Sequence, residues 1–340
     1  MKKKLFIFSN ESISTENDKF YCENLDLKST PEGLNKKFEV NLFGRKSLKK
    51  RSHEIKIKKV KIFNNIFSYL SEVKNASRSA DSKFLIISIS PYTFLISLFL
   101  KIFGRKPIVY LRSDGYGEYK KILGYPGLII YHLMFSIVSK ICSLISCREY
   151  ILRGKSGKLV SPSQLNPNWF VDPEKPDLNK VRLLYVGRIK KEKGIFSLLK
   201  LLKNTRKEFS LTIVGAEEDF KLFNSNNNIK VSKIVNSEKQ LIDYYDSHNI
   251  FILPSFTEGH PMVLMESLSR LRPVIIFKDI EHVIENRKGI FACNRDQKSL
   301  DETINFIMKN YFDIQNEMKK NQLPTRKDFI DKIINLITNY

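Results

Sequence analysis

Two glutamates set eight positions apart around a Gly-x-Pro turn are the residues of this chain best placed to do chemistry. They lie in Phe256-Thr257-Glu258-Gly259-His260-Pro261-Met262-Val263-Leu264-Met265-Glu266. The apolar run that ends at Pro254-Ser255 reads as a buried strand, so the turn falls where a parallel sheet delivers its loops. Pro261 suits the first turn of a helix, where its missing N–H costs nothing. The N–H groups of the residues after it then make an anion site, reinforced by the helix dipole. Glu258 lies ahead of that site, and Glu266 sits about 7 Å into the helix along its axis. A ligand with hydroxyls at both ends and phosphates in its middle fits this layout, and a nucleotide sugar is such a ligand. Either glutamate alone reads as a helix-start carboxylate or a helix-surface charge. Their spacing around Gly259 and Pro261 favours a site. His260 fits two roles equally, lining that site or capping the turn.

A second candidate is the basic loop Gly187-Arg188-Ile189-Lys190-Lys191-Glu192-Lys193-Gly194. It joins an apolar strand-like run, 181–186, to apolar residues at helical spacing over 195–202. Arg188, a planar fork, and Lys193, a point charge, are both suited to a diphosphate. A solvated basic loop is the alternative. The glycine at each end, between strand and helix, favours the functional reading.

Alternating strands and helices must position these residues. In the front half, strands are predicted at 4–9, 37–43, 54–60, 84–90, 107–111 and 143–147. Helices are predicted at 62–73, 92–103 and over a long region 118–140. In the back half, strands are predicted at 181–186, 211–214, 229–234, 250–253, 274–277 and 290–293, with helices at 195–202, 239–245, 261–271, 300–311 and 326–337. Such alternation implies βαβ units and parallel sheets. The expected fold class is α/β, with two Rossmann-like, doubly wound domains facing a central cleft. Residues 1–165 form the first domain. The proline-bearing stretch 166–180 is a linker, 181–325 the second domain, and 326–340 a last helix placed to pack back toward the first. Ligands of such sheets collect beyond the carboxyl ends of the strands, so the loops after Val186, Val214, Ile234 and Ser255 should converge.

Composition narrows the class. A chain of 340 residues with 42% apolar and 28% charged content can bury two ordinary cores. Residues 1–170 hold 30 Lys/Arg against 13 Asp/Glu (+17), whereas residues 171–340 hold 28 against 23 (+5), which together give the net +22. The basic front half, with Arg45–Arg51 and Lys56–Lys61, suits an anionic partner. An anionic membrane surface fits best, because apolar-rich segments 92–103 and 125–141 lie beside it. Nucleic acid fits poorly, for lack of interleaved aromatics or a binding-motif spacing. Lysine-rich solvation is the third reading. The opening Met-Lys-Lys-Lys-Leu-Phe-Ile-Phe has too short an apolar run for a secretory leader and reads as a first strand. Two longer apolar stretches read as strand–turn–helix (84–103) and as a buried or interfacial helix (125–147), not as membrane spans. The four cysteines, Cys22, Cys142, Cys147 and Cys293, follow no metal-like spacing and fit a reducing cytoplasm. No Asp-x-Asp or His/Asp/Glu cluster suggests a divalent ion.

The three motifs, strand-Gly-Arg with Glu-Lys-Gly, strand-Val-Gly, and strand-Pro-Ser with Glu-Gly-His-Pro and the later Glu, resemble together the retaining family 4 ("group 1") glycosyltransferases of the GT-B fold. The match spans roughly 180–312 in consistent order. The resemblance implies that Glu258 holds donor-sugar hydroxyls and Glu266 the ribose diol. It implies further that Arg188 and Lys193, after Gly187, neutralise the diphosphate, and that the N–H groups near Met262 and Val263 bind phosphate. Gly215 would allow close approach of the nucleotide, and main chain near Val235 would contact the base. Transfer with retention and without a metal or other cofactor is the implied chemistry, to a lipid-linked or polysaccharide hydroxyl. The front half departs from the family. Its first strand runs into Ser9-Asn10-Glu11 without a glycine-rich loop, and the usual histidine position is taken by Ser113 or Arg112. Asp114 reads either as a contact to the reacting sugar or acceptor, or as a turn residue before Gly115. Two further functions fit the sequence: a sugar-nucleotide epimerase on the same fold, and a basic membrane- or RNA-binding protein with a degenerate nucleotide cleft.

Overall fold

The computed structural model describes residues 2–171, 173–203, 208–216, 228–235 and 237–340. The chain divides into two compact units, Met1–Pro162 with Arg326–Tyr340, and Ser163–Thr325.

The first unit is built from β1 (Lys4–Glu16), β2 (Lys19–Cys22), α1 (Leu25–Leu34), β3 (Glu39–Lys46), β4 (His53–Ile55), β5 (Lys59–Phe63), α2 (Ile66–Ser77), β6 (Lys83–Ile87), α3 (Pro91–Ile102), β7 (Ile108–Leu111), α4 (Gly115–Leu123), α5 (Tyr125–Ile141), β8 (Ser143–Ser146) and β9 (Lys158–Leu159). Strands β5-β3-β1-β6-β7-β8-β9 pair side by side and all in parallel. The strand expected at 54–60 is two strands. β4 pairs antiparallel with β2, while β5 pairs parallel with β3, so one straight strand could not serve both. β1 outruns its expected end because a register shift after Phe8 lets its second half pair with β2. The hairpin turn between them, Asn17-Asp18, has positive φ at both positions, as a tight two-residue turn requires. The long helical region at 118–140 is two helices, broken where Gly124 adopts φ 68°.

The second unit contains β10 (Val181–Val186), α6 (Ile195–Lys203), β11 (Phe209–Ala216), β12 (Ile229–Lys233), α7 (Glu238–Asp246), β13 (Ile250–Leu253), α8 (Met262–Ser269), β14 (Val274–Phe277), β15 (Ile290–Cys293), α9 (Gln297–Lys309) and α10 (Tyr311–Met318). Its sheet runs β12-β11-β10-β13-β14-β15, all parallel. Counted within the unit this is order 3-2-1-4-5-6, the Rossmann arrangement, and the order reverses between β10 and β13. Every residue of β13 and β14 is buried, as a two-face-covered parallel strand must be. The helix expected at 300–311 breaks at Asn310 into α9 and α10.

The stretch 166–180, read as a linker in the sequence, is counted with the second unit, and Trp169 is buried in its core. Arg270 donates to the carbonyls of Trp169 and Val171 and pairs with Asp246, so cations on the unit's own helices hold this stretch. The last helix, α11 (Arg326–Asn339), buries Phe329, Ile330, Ile333 and Ile337 in the first unit. It crosses α1 at Gly33, where any Cβ would collide with Ile330. That contact explains a glycine inside a helix, and Gly33 with Pro31 is why α1 is hard to recognise in the sequence.

Candidate functional site

The second unit's two chemistry-bearing loops leave the carboxyl ends of β10 and β13, the two strands on either side of the order reversal. Glycine lets them close on each other. Gly194 has φ 68°, and a Cβ there would collide with the Pro254 carbonyl. The Phe256 N–H donates to the Glu192 carbonyl at 3.0 Å, a main-chain tie between the loops. At the neighbouring strand end, Gly215 has φ 120°, and a Cβ would strike the Gly187 carbonyl. The main chain therefore lies low over β10 and β11.

Lys193 and Glu258 meet across this gap. Lys193 Nζ lies 2.7 Å from Glu258 Oε1, both groups being largely buried. The Ser255 hydroxyl donates to the same carboxylate oxygen at 2.6 Å. Arg188 is exposed, and its carbonyl accepts from the Tyr185 hydroxyl at 2.8 Å, which fixes the loop's first turn. Tyr185 keeps its proton strongly, chiefly through burial, and the Glu258 charge nearby adds to this.

Gly259, His260 and Pro261 carry the chain from Glu258 into α8. Pro261 is the cap residue, with φ −72° and ψ 110°, not the first helical residue expected from the sequence. The helix opens at Met262, so the N–H groups of Met262 and Val263 occupy the first turn, where a helix has no partners of its own to offer them. Glu266 stands in the same helix and is only 7% exposed. It accepts from the Tyr245 hydroxyl at 2.9 Å. Burial pushes its carboxyl up to about 7, while the Tyr245 bond pulls the other way. Val235 follows β12 and packs, half-buried, against the unit's core.

Several contributors are not evident from the sequence. Arg295 donates to the carbonyls of Pro254 and Ser255, pairs with Asp279, and lies between the rings of Phe256 and Phe277 at 4.0 and 4.2 Å. It rivets the loop that carries Glu258. His282 Nε2 lies 2.8 Å from the Glu258 carbonyl. Ser255 belonged to the quoted motif without a role. Tyr245 and Arg295 carry no local signal, because Glu266 is 21 residues from Tyr245, and the carbonyls that Arg295 holds are 40 and 41 residues from it along the chain.

Asp114 belongs to the other unit. It caps α4 by accepting from the Tyr116 N–H at 3.2 Å, and Arg153 lies 3.6 Å away. Arg112, one of two residues at the expected histidine position, is ion-paired with Glu11. Burial opposes its charge, but Glu11 and Asp26 more than compensate and hold it protonated.

Taken together, the fold and site first define a class: two Rossmann-like units, with a cation and a carboxylate paired at the second unit's switch point. Sucrose-phosphate synthase from Thermosynechococcus elongatus is similar with a TM-score of 0.73 and 13% identity, covering 99% of both chains. Anabaena HepE, solved with UDP and glucose, gives 0.71 and 12%, covering 98% of this chain and 99% of that one. At such identities the likeness establishes the fold, which is GT-B. Residues 170–323, within the second unit, match the family model described as Glycosyl transferases group 1. An uncharacterized glycosyltransferase of Haemophilus influenzae is 28% identical over 184 residues, 51% of this chain and 52% of its own length. The capsular polysaccharide biosynthesis glycosyltransferase CapM of Staphylococcus aureus is 27% identical over 140 residues, 37% of this chain and 36% of its own. The chain thus spans about half the length of the first relative and less of the second.

Proposed function

We propose that this chain is a glycosyltransferase that moves a sugar from a nucleoside diphosphate to a hydroxyl of a lipid-linked or polysaccharide acceptor, with retention of configuration, at the cytoplasmic face of the membrane. The observation that carries the reading is the Lys193–Glu258 pair, held at 2.7 Å across the switch point beside the start of α8. Lys193 and Glu258 satisfy each other's charge in this pair. A bound donor would give Lys193 and Arg188 the diphosphate, and give Glu258 the sugar hydroxyls. Glu266 would accept from the ribose diol, and charge-assisted bonds of this kind contribute about 1.5–3 kcal/mol each. Likeness to a capsular polysaccharide biosynthesis glycosyltransferase, CapM of Staphylococcus aureus, supports the acceptor class.

In this scheme the acceptor oxygen attacks the anomeric carbon on the face from which the diphosphate leaves. The carbon–oxygen bond to phosphate breaks, and the departing phosphate oxygen takes the acceptor's proton. Negative charge develops on that phosphate, where Lys193, Arg188 and the first N–H groups of α8 would supply positive charge. The scheme contains no metal and no side-chain nucleophile. Asp114 is assigned to the acceptor side.

The test is transfer by Glu258→Ala and Glu266→Ala, each expected to abolish turnover while leaving the fold intact by circular dichroism. Wild-type-like turnover in either variant would remove the mechanism. Isomerised sugar nucleotide formed without any acceptor would instead identify an epimerase.

A further inference from the structure

The first unit carries an apolar surface that its own packing does not explain. Helix α5 carries apolar residues on two sides, with His132, Ser136 and Lys140 in a polar line between them. Tyr131, Met134, Phe135 and Val138 face the core. Ile129 and Leu133, one turn apart on the opposite side, are 64% and 58% exposed, and Ile137 continues the line. The α4–α5 corner adds Ile122 and Tyr125, at 74% and 76% exposure. Helices of soluble proteins turn a polar face to water, and a contiguous exposed apolar patch marks an interaction site.

The segments that build this patch are rich in cations. From Pro91 to Ile141 the chain has seven Lys/Arg and two acids, Asp114 and Glu118, a local balance of +5. Lys101, Lys106, Lys121 and Lys140 are exposed and in no ion pair among the described residues, and Lys120 lies over the Tyr125 ring. No helix of the described residues is long and apolar enough to cross a membrane. The patch therefore suits the surface of a bilayer and not its interior. A two-fold contact between copies would bring these lysines against their own counterparts, which favours lipid over a second chain.

The hairpin also stands in a particular place. Asp114 caps the start of α4, just past the carboxyl end of β7. α5 runs back beside it: a Cβ on Gly115 would strike Tyr131, and one on Gly127 would strike the Tyr119 carbonyl. Residues 125–131 of α5 thus lie against α4, beyond the strand ends, and 132–141 cover the sheet. This first part of α5 is about 9 Å long, at 1.5 Å per residue.

We infer that the α4–α5 hairpin is a docking element that seats Ile122, Tyr125, Ile129 and Leu133 in the head-group region of an anionic bilayer. Its lysines contact acidic lipid, and the edge bearing Asp114 faces the membrane from which a lipid-linked acceptor is taken. The acceptor half of this inference rests on the glycosyl-transfer reading; the docking half does not.

The experiment is flotation of the whole chain with phosphatidylcholine vesicles, with and without phosphatidylglycerol, at low and high salt. The wild type floats with the acidic vesicles, and salt releases it. Lys120→Glu with Lys121→Glu lowers binding about 30-fold or more, at roughly fivefold per lysine removed. Ile129→Glu with Leu133→Glu abolishes flotation, while thermal unfolding and stabilisation by nucleoside diphosphate stay as in the wild type. A wild type that remains with the bottom fraction overturns the inference, as does an Ile129/Leu133 variant that floats normally. A wild-type dimer that this variant splits would reassign the face to self-association and equally overturn it. A wild type that floats but binds no nucleotide leaves docking intact and removes the glycosyl-transfer reading.

Discussion

Replacing Glu266 by glutamine should make the second unit more stable at alkaline pH while weakening its hold on nucleotides. Glu266 is buried, and loss of solvent pushes its carboxyl from 4.5 to about 7. Between those values the folded chain keeps a proton that the unfolded chain has released. Stability contributed by the protonated form is therefore fully present below pH 4.5 and lost as pH rises through about 7. At about 1.4 kcal/mol per pH unit, the loss amounts to about 3 kcal/mol. Glutamine keeps an acceptor for the Tyr245 hydroxyl and does not titrate, so the variant escapes the loss. Trp169 is the chain's single tryptophan, buried with its ring 5.7 Å from that of Tyr245. Its fluorescence reports the second unit's unfolding separately from the first. Urea unfolding at pH 5 and 8.5 should show the variant gaining about 2.5 kcal/mol relative to wild type between the two, since part of the loss has already occurred at pH 5. Parallel pH dependences would refute the argument that this carboxylate is kept at a cost for a ligand. At pH 8.5 the variant should bind nucleoside diphosphate about tenfold more weakly, since a neutral acceptor replaces a charged one.

Gly194→Ala should destabilise the second unit by about 2–4 kcal/mol in the same fluorescence assay, because left-handed backbone and the Pro254 carbonyl both oppose a side chain. A change below about 0.5 kcal/mol would contradict the close loop contact. Arg295→Ala should weaken donor binding with a smaller loss of stability, and Arg295→Lys should not restore it, since only the fork reaches both carbonyls and Asp279. Full recovery by lysine would show that charge alone matters there. Below pH 7, calorimetry in buffers of different ionisation enthalpy should find protons released when nucleotide binds wild type and none when it binds Glu266→Gln. Equal release in both would place the titrating group elsewhere.

Much of the second unit is legible from period and punctuation. The runs at 250–253, 274–277 and 290–293 are short, apolar and bounded by turn residues, and they form strands with those ends. The first unit is less legible where tertiary contacts override local rules. α1 is helical despite Pro31 and Gly33 because α11 needs the glycine beneath Ile330. The segment 53–63 breaks into two strands because it serves two different neighbours. The candidate site divides in the same way. Glu258, Glu266, Arg188 and Lys193 are evident from residue type and spacing around glycine and proline. The partners that fix them, Tyr245, Ser255 and Arg295, are not, since nothing local tells a hydroxyl or guanidinium which distant group it will meet. Whether Pro261 caps or opens its helix turns on a single ψ angle, which residue type does not determine.

The central claim is that one activated sugar is gripped by the loop ending in Gly194 and the turn opening α8. Calorimetric titration of a panel of nucleoside diphosphates into wild type, Lys193→Ala, Glu266→Ala and Asp114→Ala tests it most directly. At least one nucleotide should bind the wild type and Asp114→Ala alike, and bind the other two variants at least about tenfold more weakly. Equal affinity in all four proteins, or no binding to any, would contradict the account.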